Sequence, residues 1–590
     1  MAPQDATMYW LSERTRNDLF LLYCFADRGL PTEELRAAVA ERSARIADLR
    51  VRLRELPADV DYPFWTRCEF AAEQFVEHEL AERNWSHLLH VLGELLGTGV
   101  DAAVRPWRLH VFRAIADAPG QEGEPALVVV LQMSHALADG RRASAIGRAL
   151  FGAVGDEGRT RLPAPGGVRT GGDGGTEAAG AGSSVGEARS TPSDRSSLDV
   201  STQKVLADSQ GFSWTAEACG RTIGDAVSAS VSSAGGRVGS VVVRGRAIGD
   251  AVSASVSSAG GRVGSVVLRG RMIGDAVSPI GVLIDSAVGL LRVPVRMAAT
   301  AVRGYQAFRA QQRLAELTEA GELPPPGQGY PPSALNRTTA EGISRHEARL
   351  LVFPAEDLRV PGRTVTVVVL TAVSLALARY LADRGEPVER LGAQVPMALP
   401  EVDRPRNNYR SLGVDLFIDE PDPGLRADKI AAALADRRIR ARHPLLSAQD
   451  RVTATVPAPV LRRDVDRYPL DTVPDSIAGH TVVSSVDRGP ADLSFGGGEV
   501  RFTAGFPALG SVMHLTHGVH GLGDTITISL HADQAVLPDL DAYAAHLRAA
   551  LLEVHRTRLD SAPGVTIARP RVKNGRGRAG VRTGGPRRRS

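Results

Sequence analysis

The chain has 590 residues, of which 43% are apolar and 23% charged, close to the average of a soluble globular protein. This composition excludes a wholly disordered chain, a collagen and a coiled coil, and the length allows about three to five domains. The net charge is +3, but the last 22 residues from Arg569 hold nine basic side chains and no acid, which leaves about −6 on the remainder. We therefore do not expect nucleic acid as a partner of the main body.

Cysteine content and the apolar segments indicate the compartment. Cys24, Cys68 and Cys219 are too few and too scattered for a disulfide framework, which favours a reducing cytosol. The N-terminus lacks the basic and then apolar run of a signal peptide. The longest apolar stretch, Thr364 to Ala378, would reach roughly 22 Å as a helix, short of a hydrocarbon core of about 30 Å. We expect a cytoplasmic protein with no spanning helix, and peripheral attachment to a membrane stays an open alternative.

Composition also predicts the domain organisation. Two segments have the apolar periodicity of folded domains, and a segment rich in glycine, serine and threonine lies between them. The predicted units are a first domain over 1–155, a low-complexity linker over 156–330, a second domain over 331–560 and a basic disordered tail over 561–590.

The linker contains a duplication and a candidate surface helix. Arg221 to Gly245 recurs almost unchanged as Arg246 to Gly270, and this near-identity favours a tolerated expansion over a solenoid. Val282 to Phe308 is apolar with interspersed arginines. This pattern fits an amphipathic helix on a membrane surface or a helix packed on the fold, and Pro294 would kink it.

In the first domain, apolar spacing predicts helices over Pro31–Leu53 and around Trp85–Leu96. RPWRLHVFRAI (105–115) is a predicted strand, and PALVVVLQM (125–133) is a predicted buried strand. A helix is expected after Gly140.

The second domain shows the same alternation. Thr364–Leu381 is a predicted buried helix, and Leu391–Leu399 and Ile526–Asp533 are predicted strands. Pro538–Val554 is a predicted amphipathic helix. Alternating strands and helices in two blocks indicate two α/β sandwich domains.

The segment MSHALADG, Met133 to Gly140, is the strongest candidate for chemistry. His135 follows a buried strand, and an imidazole titrates in the range that a general base needs near neutral pH. Asp139 could fix the local backbone or pair with an arginine, and Gly140 permits backbone geometry that other residues resist. From spacing alone, a structural histidine is the competing interpretation.

This segment resembles the HHxxxDG motif of the CoA-dependent acyltransferase superfamily, and other segments resemble its wax ester synthase/diacylglycerol acyltransferase branch. The similar segments cover about 1–155 and 330–560, in family order. They are DATMYWLS, RPWRLHVFRAI, SALNRTTAEGISRHEARLLVF with Leu335 and Asn336, TVTVVVLTAVSLALARYL, VPMALPEVDRPRNNYRSLGVDLF with Val395, Pro396 and Asn408, SSVDRGPADLSFGGGEV and HADQAVLPDLDAYAAHL.

The resemblance implies a fold and a reaction. The fold is two chloramphenicol-acetyltransferase-like α/β sandwich domains with a central channel, joined by a long linker. The reaction transfers a long-chain acyl group from acyl-CoA, a substrate and not a cofactor, to diacylglycerol or a long-chain alcohol. His135 would be the base, with Asp139 and Gly140 completing the motif and no metal needed. Ser134, Asn336 and Asn408 would contact substrate, and a membrane or lipid-droplet surface is an implied partner.

The sequence also departs from the family pattern. Ser134 replaces the first motif histidine, Thr366 and Val367 replace the Asn-Asp pair of the NDxxLA helix, and Asp487 and Arg488 stand where the SNVPGP segment has proline. These replacements motivate a second hypothesis, a degenerate, non-catalytic protein that binds lipid or acyl-CoA.

Other motifs are weaker. His514, His517 and His520 form HxxHxxH, which could join Asp524 in a zinc site but is also expected of a surface loop. Gly182 to Gly186 reads G-x-S-x-G without the strand-to-helix context of a nucleophile elbow. No phosphate-binding P-loop motif occurs. The basic tail could touch nucleic acid, CoA phosphates or anionic lipid, or only aid solubility.

Overall fold

The structure is a computed structural model that describes residues 1–120, 123–152, 279–338, 345–400 and 405–556. The 25-residue repeat, the G-x-S-x-G segment and the basic tail lie outside these ranges.

The described residues form helices and strands in two mixed groups, one in each half of the chain. The helices are α1 Pro3–Ser12, α2 Thr32–Ser43, α3 Trp85–Leu96, α4 Gly140–Phe151, α5 Pro279–Glu319, α6 Val365–Asp383, α7 Pro423–Ala441, α8 Ser447–Thr453, α9 Ala458–Asp466 and α10 Leu540–Arg556. The strands are β1 Leu19–Ala26, β2 Val51–Arg54, β3 Phe64–Arg67, β4 Phe75–Glu77, β5 Trp107–Ile115, β6 Ala126–Met133, β7 His346–Pro354, β8 Gly392–Ala398, β9 Tyr409–Asp415, β10 Thr481–Asp487, β11 Ser494–Phe495, β12 Gly498–Phe506, β13 Leu515–Leu522 and β14 Thr525–Asp533.

Two six-stranded sheets organise the molecule. The first has the order β11-β12-β1-β6-β5-β4, and the second has the order β7-β14-β13-β10-β8-β9. Helices α2 and α4 supply residues to the core on one face of the first sheet, and α6, α7 and α10 do so for the second sheet. The predicted class, two α/β sandwich units, is therefore confirmed.

The two halves of the chain are interlocked at the first sheet. Strands β11 and β12 come from the second half, and β12 pairs antiparallel with β1, with Phe20 opposite Phe506. Helix α3 also packs against β7 of the second sheet. The domain boundaries at residues 155 and 331 stay a prediction, and residues 494–506 cross from the second segment into the first sheet.

Burial explains why apolar residue patterns predicted β6 and α6. Every residue of β6 is buried, as expected of a strand covered on both faces. Helix α6 is the one helix in the described ranges long and apolar enough to cross a membrane, and 72% of its most apolar window is buried inside the protein. Its apolar side chains fill the core of the second half.

Two predicted helices differ from the structure. The helix predicted over Pro31–Leu53 ends at Ser43, because the chain becomes extended at Ile46 and Val51–Arg54 pairs with β3 instead. The segment Val282–Phe308 lies within the longer helix α5, which includes Pro294.

The HxxHxxH histidines do not form a surface loop. His514, His517 and His520 are buried in or beside β13, where His517 contacts the Tyr543 hydroxyl at 2.7 Å. Side chains alternate between the faces of a strand, so a spacing of three puts neighbouring histidines on opposite faces. Within the described ranges, no group of three or more His, Cys, Asp or Glu could hold a metal.

Candidate functional site

The motif residues occupy the connection between β6 and α4. The Ser134 N–H donates to the Pro106 carbonyl at 2.9 Å, and a turn closes where the Leu137 N–H donates to the Ser134 carbonyl at 2.9 Å. Helix α4 then starts at Gly140. Because β6 is paired on both sides, with β1 and β5, the connection that follows it starts from a fixed position at the end of a central strand.

Asp139 is the N-cap of α4. One carboxylate oxygen accepts a hydrogen bond of 2.9 Å from the Arg142 N–H, which satisfies a backbone donor that the helix leaves free. The other oxygen accepts one of 3.2 Å from the Asn408 N–H, so the cap also joins the motif to the second half of the chain. Asp139 thus has the backbone-fixing role that the sequence predicted.

His135 is half-buried, and Asn407 holds its ring. Nδ1 of His135 lies 2.8 Å from Oδ1 of Asn407, and Nδ2 of Asn407 donates to the carbonyl of His135 at 2.8 Å. An amide oxygen accepts hydrogen bonds, so the proton of the neutral ring is assigned to Nδ1. This assignment leaves the lone pair on Nε2.

A buried carboxylate lies behind Asn407. Asp5, in α1, accepts hydrogen bonds from the Asn407 N–H at 2.8 Å, from Nδ2 of Asn407 at 3.0 Å and from the Arg406 N–H at 3.0 Å. Burial raises the pKa of Asp5, and these donors act in the opposite direction.

Burial also sets the protonation of His135. It lowers the pKa of the imidazole below 6.5, although a hydrogen bond to the histidine's own backbone, the hydrogen bond with Asn407 and the carboxylates of Asp139 and Asp5 oppose this shift. The Tyr409 ring lies beside the imidazole, with ring centroids 6.2 Å apart. The neutral ring therefore predominates at neutral pH, which suits Nε2 to accept a proton.

The other predicted site residues lie in different surroundings. Gly140 does not have a positive φ, and a Cβ there would meet only the Val486 side chain at 4.0 Å. The prediction that this position needs backbone geometry special to glycine is therefore wrong. Ser134 is buried, and its hydroxyl accepts from the Ala136 N–H at 3.3 Å.

The two predicted substrate-binding asparagines are both engaged within the protein. Asn408 lies beside Asp139, and its amide donates to the Pro400 carbonyl at 2.7 Å. Asn336 caps a short 3-10 helix with Ser333, and its amide donates to the Val512 carbonyl at 2.9 Å. Asn408 is thus part of the motif's surroundings, whereas the hydrogen bonds of Asn336 join it to other segments.

Sequence reasoning missed two residues of this arrangement, namely Asn407, which contacts the His135 ring, and Asp5, which accepts hydrogen bonds from Asn407. Both stood in quoted segments, Asp5 in DATMYWLS and Asn407 next to the selected Asn408. The adjacent asparagines of RPRNNYR were the available signal. The histidine contact joins residues 272 positions apart, and no periodicity identifies which of two neighbouring amides makes it.

Two of the residues that depart from the family pattern, Val367 and Arg488, are buried. Val367 is buried in the core of the second half, and its N–H bonds to Thr364 at the start of α6. Arg488 is buried, and Nη1 reaches the Tyr23 hydroxyl at 3.4 Å.

Together, these contacts bring segments from both halves of the chain around the His135 imidazole. Residues 407–555 match the model of the family described as the WS/DGAT C-terminal domain, about a quarter of the chain. Over these residues, the match confirms the resemblance to the wax ester synthase/diacylglycerol acyltransferase family, a family of acyltransferases. No match was found among curated proteins.

Solved structures of low identity also align along most of the chain. The wax ester synthase/diacylglycerol acyltransferase from Marinobacter aquaeolei VT8 is 14% identical, with a TM-score of 0.47, over 94% of this chain and 98% of that one. The first condensation domain of the calcium-dependent antibiotic synthetase is 12% identical, with a TM-score of 0.44, over 94% of this chain and 95% of that one.

Proposed function

We propose that the protein is an acyl-CoA-dependent O-acyltransferase with His135 as general base. The observation that carries the proposal is the 2.8 Å contact between His135 Nδ1 and Asn407 Oδ1, which leaves Nε2 as the proton acceptor. A histidine at the end of a buried strand, held in one tautomer and neutral at physiological pH, has the properties that a base needs.

The reaction uses this lone pair twice. Nε2 takes the proton from an alcohol as the alcohol oxygen attacks the thioester carbonyl, which gives a tetrahedral oxyanion. Collapse of the oxyanion breaks the carbon–sulfur bond, and the leaving thiolate of CoA takes the proton from the imidazolium. The products are an ester and free CoA, and the ring returns to its starting state. General base assistance contributes roughly 10²–10⁴-fold.

The proposed acceptors are diacylglycerol and long-chain alcohols, which would give triacylglycerol or wax ester. The match of residues 407–555 to the WS/DGAT family supports this class of reaction. In this scheme acyl-CoA is a substrate, and no cofactor takes part. Asp139 caps α4 and does not carry a proton, because its two oxygens accept from backbone N–H groups.

The test is acyl transfer from labelled palmitoyl-CoA to diacylglycerol or hexadecanol, for the wild type and His135→Ala. We expect the wild type to form ester and the variant to lose this activity while its circular dichroism and melting temperature stay close to those of the wild type. Transfer that persists in a folded His135→Ala protein would contradict the proposal.

A non-catalytic role in lipid or acyl-CoA binding is the second candidate. The replacements at Ser134, Thr366 and Val367 favour it, since they remove side chains on which the family pattern depends. It predicts that both wild type and His135→Ala bind palmitoyl-CoA with equal affinity and that neither forms ester. Turnover by the wild type would exclude it.

We further propose a cytoplasmic protein attached peripherally to a membrane or lipid droplet through α5. One side of α5 is tied to the fold, where Arg292 and Arg296 both lie 3.5 Å from the Asp61 carboxylate. Ile284, Leu291 and Val295 are spaced by seven and four residues and thus share a different face, on which all three are exposed. An apolar stripe of this kind can enter the boundary between lipid headgroups and acyl chains.

A further inference from the structure

We infer that Asp5 is a positioning residue that acts on His135 through the amide of Asn407. The inference rests on the proposed role of His135 as a base and adds the group that keeps its proton on Nδ1. Asp5 belongs to α1 at the start of the chain, whereas Asn407 precedes β9 in the second half. The site would then be complete only when these two segments meet.

The argument begins with the two hydrogens of the Asn407 amide. Nδ2 is 3.0 Å from the Asp5 carboxylate and 2.8 Å from the His135 carbonyl, and both of these groups accept hydrogen bonds. Each amide hydrogen therefore has an acceptor, which turns Oδ1 toward the imidazole. Oδ1 has no hydrogen to give, so the neutral ring must supply one from Nδ1.

The opposite orientation of the amide would disable the base. A rotated Asn407 would place Oδ1 against the Asp5 carboxylate and the His135 carbonyl, with no hydrogen between these oxygens. Nδ2 would then face Nδ1 and make it an acceptor, which moves the ring proton to Nε2. Buried acceptors would then lack donors, which is costly, so the structure disfavours this arrangement.

Asp5 contributes because an ionised carboxylate can only accept. Its oxygens also receive the Arg406 N–H and the Asn407 N–H, which fix the backbone on which the amide stands. The Arg406 guanidinium adds attraction for the carboxylate. Three donors on one buried carboxylate thus determine both the position and the orientation of Asn407.

Two substitutions at Asp5 distinguish a role in positioning Asn407 from a purely structural role of the side chain. Asp5→Asn preserves shape but introduces an NH2 group, which can face Oδ1 of a rotated Asn407. Asp5→Glu changes length but keeps an acceptor-only group. A positioning role predicts that Glu retains more activity than Asn, whereas a purely structural role predicts that the isosteric Asn is tolerated better.

For Asp5→Asn we expect kcat to fall roughly 10–100-fold, by analogy with the groups that orient metal-ligating histidines, with the KM for palmitoyl-CoA unchanged. Ser12→Ala, on the same helix, removes a hydroxyl that donates to the nearby Tyr9 carbonyl and is the matched control. It should leave kcat unchanged, and the melting temperatures of all variants should be compared.

The second readout is the ring tautomer, measured by ¹⁵N NMR on protein labelled at histidine, with His135→Gln to assign the signal. We expect the Nδ1–H form in the wild type and a rise of the Nε2–H form in Asp5→Asn. Wild-type kcat in Asp5→Asn, or an unchanged tautomer in that variant, would overturn the inference. Because the tautomer is read without turnover, this result stands apart from whether the wild type transfers acyl groups.

Discussion

Arg142 donates two hydrogen bonds of 2.9 Å, from Nε and Nη2, to the two carboxylate oxygens of Asp48. Asp48 lies in a 3-10 helix after α2, and Arg142 lies in the first turn of α4. Arg406 shares the same carboxylate at 2.9 Å and also donates to the Leu137 carbonyl. One acidic side chain thus ties the motif loop to the segment that carries Asn407.

Asp48→Ala should therefore weaken both the fold and the site. Hydrogen bonds to charged groups each contribute about 1.5–3 kcal/mol, and partial exposure reduces this value, so we expect the free energy of unfolding to fall by about 1–3 kcal/mol. Urea unfolding measures this change. Asp492→Ala is the matched control, because its carboxylate pairs with Arg148 but is 59% exposed, and it should cost less than about 1 kcal/mol. Equal losses in the two variants would contradict the proposed link.

The lowered pKa of His135 predicts the pH dependence of activity. As pH falls through this pKa, Nε2 gains a proton and the base is lost, so kcat/KM should decline on an acid limb centred below pH 6.5. The free energy of unfolding should also fall as pH drops below 6.5. In the unfolded chain this histidine binds a proton more readily than in the folded protein, so acid favours the unfolded state. The profile is measured with palmitoyl-CoA at subsaturating concentration. An acid limb centred above pH 6.5 would mean that the carboxylates of Asp5 and Asp139 raise the pKa of His135 by more than burial lowers it.

Restoring the family's first motif histidine should not improve this protein. Ser134 is 1% exposed, and its hydroxyl already bonds to the Ala136 N–H, so Ser134→His would force a larger ring into a filled position. Overpacking of this kind costs about 1–3 kcal/mol. We expect a lower melting temperature and no gain in kcat, whereas Ser134→Ala should change both only slightly. A rise in kcat for Ser134→His would show that the serine limits catalysis.

The sequence was sufficient for elements whose burial is uniform along the chain. The helix predicted around Trp85–Leu96 from apolar spacing has these bounds in the structure, where the Asn84 side chain also caps its first turn. Strand β6 was recognisable because all its residues are buried. By contrast, nothing local in residues 494–506 indicates that β11 and β12 join the first sheet, since strand pairing depends on partners far away in sequence.

The candidate site likewise has a part that local sequence predicts and a part that depends on residues far apart in the chain. His135 and Asp139 are part of one short motif, and its position after a buried strand and its resemblance to HHxxxDG made them candidates. The contacts of the imidazole with Asn407, and of Asn407 with Asp5, join segments that meet only in the folded chain. A short motif can therefore point to a candidate histidine, while the hydrogen-bond partners of its ring become visible only in the tertiary structure.

The exposed face of α5 gives the final prediction, which concerns attachment to membranes. Leu291 is 78% exposed, and moving a leucine side chain from water into lipid is worth about 1.5–3 kcal/mol. Leu291→Glu removes this gain and adds a charge, so binding to vesicles of phosphatidylcholine and phosphatidylglycerol should weaken by about tenfold or more in a sedimentation assay.

Ile439→Glu is the matched control, because Ile439 is 57% exposed on α7, outside the stripe of Ile284, Leu291 and Val295. It should reduce vesicle binding little, and both variants should keep the melting temperature of the wild type, since neither side chain is buried. If the two variants lose binding equally, α5 is not the attachment surface and general charge repulsion explains the loss. A selective loss in Leu291→Glu, with acyl transfer to a soluble short-chain alcohol unchanged, would assign attachment to α5 independently of the chemistry at His135.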